Sequence, residues 1–176
     1  TTVHIYYGKT SGEQYERRVE EIDSIASFLN KRSKKENVNY ILLGDFNIVD
    51  TSDRTMQALE KHKFFIPDAL KQKPTDIGGT KHYDQIAFKL KERADMQVFS
   101  KTNQKAGTFN FFDYVFTPEE TALYQNKFIG KYQIKLDEKA QKYYLNKWRT
   151  FQISDHLPLW VELKIDFSDQ YLSGLK

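Results

Sequence analysis

Four short segments carry side chains able to do chemistry. They are Val3-His4-Ile5, Leu43-Gly44-Asp45-Phe46-Asn47, Tyr83-Asp84-Gln85-Ile86 and Ser154-Asp155-His156. Carboxylates ligate hard cations or take protons, an amide donates to an anionic oxygen, and imidazole changes charge near neutral pH. Along extended chain, positions i and i+2 point the same way, so Asp45 and Asn47 are expected to share one pocket. Adjacent side chains diverge, so Asp155 and His156 should each meet a different partner. Asp84 opens an apolar strand and can orient a histidine, as acids do in acid–histidine pairs. Each segment also has a structural reading: an Asx turn at Asp45, a surface turn at Ser154 to His156, a strand-terminating Asp84, and a satisfied strand histidine at His4.

The elements that must position these residues follow from periodicity. Val3 to Tyr7 is β-branched and aromatic and reads as a strand ended by Gly8. Val19, Ile22, Ile25, Ala26 and Leu29 recur at three- and four-residue steps, one stripe of a long helix ending in Lys31, Arg32, Lys34 and Lys35. Asn39 to Leu43 is a continuous apolar run, expected as a strand buried on both faces. Ser52 or Asp53 should cap a helix to about His62 with Met56 and Leu59 inward. Residues 67 to 80 read as irregular, Asp84 to Lys89 and Met96 to Ser100 as strands, and Phe109 to Phe116 as an aromatic strand stopped by Pro118. Glu119 to Phe128 and Asp137 to Trp148 read as helices. Gln152 to His156 is a polar turn, Trp160 to Ile165 a half-buried strand, and Phe167 onward a polar tail.

Composition narrows the chemistry further. The absence of cysteine among 176 residues excludes disulfides, thiol nucleophiles and zinc–thiolate sites, and fits a reducing, cytoplasmic setting. A net charge of +3 weakly favours an anionic partner. No apolar run has the length of a membrane span, and the opening residues lack a signal-peptide pattern. One α/β domain over residues 1–176 is the simplest account. Tyr143, Tyr144, Trp148 and Arg149 lie just before the Ser-Asp-His turn, where they could stack on a base or grip a phosphate. A packed helix face is the expected role of Tyr143 and Trp148. Lys81 and Lys147 are phosphate contacts or plain surface lysines.

In their order, a strand His, a long helix, Gly-Asp-Phe-Asn, Tyr-Asp-x-Ile and Ser-Asp-His-x-Pro resemble the endonuclease/exonuclease/phosphatase superfamily. The stretch from Phe65-Ile66-Pro67-Asp68 to Tyr83-Asp84-Gln85-Ile86 is similar to its deoxyribonuclease I branch, and the resemblance runs from His4 to about Leu163. It implies the C-terminal half of a four-layer α/β/β/α sandwich, with a mixed, mostly antiparallel sheet and flanking helices. It implies metal-dependent hydrolysis of phosphodiesters, with DNA as the leading substrate and partner. Inositol phosphates or sphingomyelin are the alternative, and a non-catalytic binding module the third reading. By this resemblance His4, Asp45, Asn47, Asp84 and His156 are catalytic, Asp45 and Asp155 bind Mg2+ (or Mn2+ or Ca2+), and Asn47 hydrogen-bonds the phosphate; Arg149 is a further expected substrate contact from its position before the Ser-Asp-His turn alone. Asp84 is the expected partner of His156, with Asp113 in Phe112-Asp113-Tyr114-Val115 as the alternative.

The family's first half, with its Gln-Glu motif and glutamate metal ligand, has no counterpart before His4. The expectations that follow are weak metal binding, little activity of this chain alone, and an open inner sheet face that a homo-oligomer could cover.

Overall fold

A computed structural model describes residues 1–91, 97–98, 106–132, 136–164 and 168–174. Strand β1 (Thr2–His4) lies parallel to β2 (Tyr40–Asp45), and β2 lies antiparallel to β3 (Asp84–Lys89), in the order β1-β2-β3. Two parallel neighbours need a long crossover, and helix α1 (Glu13–Glu36) supplies it. Its buried stripe is Arg18, Ile22, Ala26, Leu29 and Ser33. Burying Ile22 and Leu29 contributes roughly 2 kcal/mol each. Lys34 and Lys35 occupy the last turn, and Asn37 ends the helix in the left-handed conformation at φ 58°.

Gly44 is required by the contact between β1 and β2. It pairs with Val3 at φ +138°, and a Cβ there would stand 2.0 Å from the Val3 carbonyl oxygen. The glycine of the Gly-Asp-Phe-Asn segment thus lets two backbones meet. β2 is not buried on both faces as its apolar run predicts: Leu42 is buried against the helical layer, but Leu43 on the opposite face is 37% exposed.

Helix α2 (Arg54–Glu60) buries Met56 and Leu59 and packs along α1. Asp53 holds the cap position in extended conformation, although its side chain makes no capping bond. The pair is clamped at the surface by Arg54 on Glu16 at 2.6 Å and by Lys61 and His62 on Asp23 at 2.6 and 2.7 Å. A short turn of helix, α3 (Asp68–Lys71), interrupts the stretch expected to be irregular.

The second half is assembled from smaller pieces. β4 (Gln97–Val98) pairs with β7 (Leu163–Lys164), and β5 (Ala106–Thr108) with β6 (Leu159–Val161). The strand expected over Met96 to Ser100 is seen only at Gln97–Val98; its other residues lie outside the described ones. The single strand expected over Trp160 to Ile165 is split at Glu162, and Ile165 is not described. The aromatic run Phe109 to Phe116 is not a strand. After β5 it enters a 3-10 turn over Phe111–Asp113, capped by Asn110 Oδ1, which accepts from the Phe112 amide at 3.2 Å. The rings pack on one another instead, Phe111 on Phe112 at 4.5 Å and Phe109 on Tyr114 at 5.5 Å.

Helices α4 (Thr121–Tyr132) and α5 (Glu138–Tyr143) follow; a Thr117/Glu120 capping box opens the 3-10 turn Pro118–Glu120 that leads into the first, and Asp137 caps the second. A π-helical turn, Tyr144–Trp148, continues α5. Phe128, Ala140 and Tyr144 make a second small core with Phe116, Tyr124 and Trp148 packed around it. Residues 168–173, expected as a polar tail, form helix α6 (Ser168–Ser173). The fold is mixed α/β, with small mixed sheets and flanking helices, and no described helix is long and apolar enough to cross a membrane.

Candidate functional site

The register of the first sheet does most of the positioning. His4 pairs with Asp45, and Asp45 with Asp84, so the three residues form one row across β1, β2 and β3. Directly paired residues share a face. The row therefore puts one imidazole and two carboxyls side by side at the edge of the sheet. His4 is the outermost, 80% exposed in its side chain, with Nε2 3.5 Å from Asp45 Oδ2.

His156 arrives from the other end of the chain. The segment 73–82 pairs with it: Asp76 bridges His156, the Leu157 amide donates to the Thr75 carbonyl at 2.6 Å, and the Ile77 amide to the Asp155 carbonyl at 3.3 Å. Buried Thr75 also accepts the Asp84 amide on its Oγ1 at 3.1 Å, which locks this loop to the start of β3. His156 Nδ1 then lies 2.8 Å from Asp84 Oδ2, and its ring stacks on Tyr83 at 5.2 Å and 19°. The acid–histidine pair expected from the sequence is Asp84 with His156. Asp113 is elsewhere, accepting from Asn110 Nδ2 at 2.6 Å.

Asp45, Asp84 and His156 have donor atoms all within 4.8 Å of one another, and all three are half-buried. Desolvation pushes the Asp45 carboxyl above its ordinary range; the Asn47 amide and the positive charge of His156 work against that shift, and Asp84 adds to it. The Asp84 hydrogen bond holds the His156 imidazole above 6.5, against its own desolvation, and Asp45 and Asp155 add to the effect. Burial, with help from Tyr7, pushes the Tyr83 phenol up to about 12, so it stays neutral beside the carboxylates.

Asn47 does not share the pocket in the way i, i+2 geometry predicts. Its φ is +53°, a left-handed conformation that asparagine tolerates better than most residues. Its amide N–H donates to Asp45 Oδ1 at 2.8 Å, an Asx turn, and its Nδ2 donates to the Ile5 carbonyl at 2.7 Å. The side chain is buried, and its work is to hold the end of β2 against the end of β1. Asp45 is left with Oδ2 for chemistry.

Asp155 is exposed and stands outside the close-set trio, because neighbouring side chains diverge and His156 takes the inward place. Arg149 spends two of its nitrogens within the protein. Its Nε donates to the Leu145 carbonyl at 2.7 Å and its Nη1 to the Phe116 carbonyl at 3.3 Å, with the guanidinium 4.3 Å over the Phe112 ring. Tyr144 and Trp148 pack in the aromatic core, as a helix face would.

Two clefts meet at His156. The first, about 610 Å³, takes in Tyr83, Tyr143, Asn146, Lys147 and Phe151. The second, about 450 Å³, is lined by Leu43, Ile86, Phe111, Ile153 and Leu157 together with Asp84. Sequence reasoning missed Thr75, Asp76 and Phe151. Thr75 and Asp76 pair with the Asp155–Leu157 segment through their backbones and brace the loop with their side-chain oxygens, local roles that no motif announces.

No known family's sequence model matches this chain, and no curated protein matches it. Function is therefore read from the arrangement of side chains.

Proposed function

We propose that this site hydrolyses phosphodiesters with the help of a divalent cation, with DNA as the leading substrate. The observation that carries the reading is the row His4–Asp45–Asp84 closed by His156 on Asp84. The donor set fits a hard cation: two carboxylates beside an imidazole, with one Asp45 oxygen committed to a backbone amide and the other facing the exposed His4 imidazole at 3.5 Å. Mg2+ is commonly held by one or two carboxylates with water and phosphate in its remaining positions. Asp45 and Asp84 would hold such an ion, Mg2+ or Mn2+, beside His156. When bound, it supplies Lewis-acid polarisation of a phosphoryl oxygen.

The chain's own groups supply the rest. Asp84 occupies Nδ1 of His156 and keeps the ring protonated to higher pH, which leaves Nε2 as a charged donor toward a phosphoryl oxygen. Tyr83 fixes the plane of that ring by stacking. His4, at the open rim beside Asp45, is placed to meet an incoming phosphate. A deoxyribonuclease-I-like sandwich is the finer fold reading that accompanies this proposal. Its support is a parallel strand pair followed by an antiparallel third, with the reactive residues at matching ends.

A lipid phosphodiester such as sphingomyelin is the second reading, favoured by the apolar lining of the second cleft. The test is cleavage of supercoiled plasmid and of a single-stranded oligonucleotide by this chain with Mg2+, beside Asp45→Asn and His156→Ala. The proposal expects weak cleavage, in keeping with the incomplete ligand set, that EDTA and Asp45→Asn both abolish. Nucleic acid left intact while sphingomyelin is hydrolysed would transfer the function to lipid, and cleavage undiminished in Asp45→Asn would remove the site from the chemistry.

A further inference from the structure

We infer that the first cleft is a subsite for an unpaired nucleobase next to the scissile phosphate, so that the preferred substrate is single-stranded nucleic acid rather than uninterrupted duplex. The inference rests on the phosphodiesterase reading for its phosphate and on separate residues for its base. Phe151 is 82% exposed, the most exposed large hydrophobic side chain among the described residues, and it stands on the cleft that ends at His156. Exposing a phenyl ring is unfavourable unless something covers it, and a base is a flat partner of matching size. Asn146 offers a donor and an acceptor to a base edge, and Lys147 a cation to a flanking phosphate. The volume suits a ligand the size of a nucleotide.

The wall that carries these groups is held firmly. Within the π-helical turn, Tyr144 and Trp148 stack at 5.5 Å and face Phe128, while Asn146 and Lys147 are exposed and line the cleft. The 3-10 turn Arg149–Phe151 is tied down through Arg149 on the Phe116 carbonyl. Phe151 is thus presented on an anchored segment five residues before His156. In a duplex both faces of a base are covered and its edge is paired, so only a base outside the stack can reach such a ring. A quaternary ammonium headgroup would also suit aromatic rings. Against it stands the positive Lys147 on the rim; of the two aspartates that line the cleft, Asp76 has Oδ1 committed to the amides of Thr80 and Lys81 and Oδ2 near Thr80 Oγ1, and the competition with phosphocholine below tests the pull of exposed Asp155.

The probe is a pentanucleotide carrying 2-aminopurine, titrated by fluorescence in EDTA so that it is not cleaved. Stacking should quench it. Phe151→Ala should weaken binding about tenfold and remove the quenching, and Phe151→Tyr should restore both. The same five nucleotides held in the stem of a long, stable hairpin should bind about tenfold more weakly or worse. The substitution is at an exposed ring, so folding is not at stake, and far-ultraviolet circular dichroism checks it. Quenching unaltered in Phe151→Ala, duplex binding as tight as single strand, or displacement of the probe by phosphocholine would overturn the subsite. A parallel Mn2+ titration separates the two ideas: Mn2+ bound at Asp45 and Asp84 with a failed probe sinks the base subsite alone, whereas a stacked probe without Mn2+ binding there sinks the phosphodiesterase reading.

Discussion

Nδ1 of His156 lies 2.8 Å from Oδ2 of Asp84, across 72 residues of sequence. The contact raises the folded pKa of the imidazole above its ordinary 6.5. A group raised on folding stabilises fully below its unfolded pKa and loses that contribution as pH rises through the folded value. Metal-free protein should therefore lose this increment above pH ~6.5. Asp84→Asn should bring the His156 pKa down and flatten the dependence. NMR titration of the imidazole and urea unfolding at about pH 6 and about pH 9 measure both; an unmoved His156 pKa in Asp84→Asn would refute the pairing.

Arg18 is wholly buried in the α1 stripe and donates to the carbonyls of Asn47 and Lys9, each at 2.7 Å, and of Tyr7. It fastens the helix to the chain beyond β1 and to the Asx turn beyond β2. Arg18→Met matches the aliphatic stem but strands three acceptors, and is expected to cost about 3 kcal/mol or more in urea unfolding. Arg18→Lys should recover only part, since one ammonium cannot reproduce the planar fork. A cost below about 1 kcal/mol for Arg18→Met would show that water replaces these bonds freely.

Gly44 admits no side chain. In Gly44→Ala the new methyl meets the Val3 carbonyl and the backbone stays at a φ that alanine resists. The expected loss is about 3 kcal/mol or more, with β1 detached and the His4 amide losing protection from hydrogen exchange. Near-native stability would mean that β1 and β2 approach differently.

The Tyr144 hydroxyl is buried with no hydrogen-bond partner among the described residues, and burial pushes the phenol up to about 12. Removing an unsatisfied polar group relieves its desolvation cost. Tyr144→Phe should leave stability unchanged or raise it by about 1 kcal/mol, read from the thermal midpoint. Clear destabilisation would reveal a partner for that oxygen.

Legibility from sequence followed the physics of each element. α1 and β3 were readable because apolar spacing and bounding residues agree, and Asp84 with His156 because their segments occur in a specific order. Arg18 was invisible: it occupies the buried stripe four residues before Ile22, and hydropathy scores a guanidinium as surface wherever it lies. Asn47 misled for a different reason. The i, i+2 rule holds only while the chain stays extended, and the left-handed turn at Asn47 breaks it. The run Phe109 to Phe116 has strand-like composition, but its rings are satisfied by local stacking and Asn110 caps a tight turn, so no partner strand is needed. Arg149 has Nε and Nη1 on main-chain carbonyls, a use that residue type does not reveal.

Paramagnetic broadening of amide resonances by sub-stoichiometric Mn2+ tests the central claim most directly, because it needs no substrate and no turnover. If Asp45 and Asp84 hold a cation beside His156, the amides of His4, Asp45, Asp84 and His156 should broaden first and together, Mg2+ should reverse the effect, and Asp45→Asn should abolish it. Broadening confined to exposed acids such as Asp155, or spread evenly over the surface, would contradict a metal-dependent centre at this row.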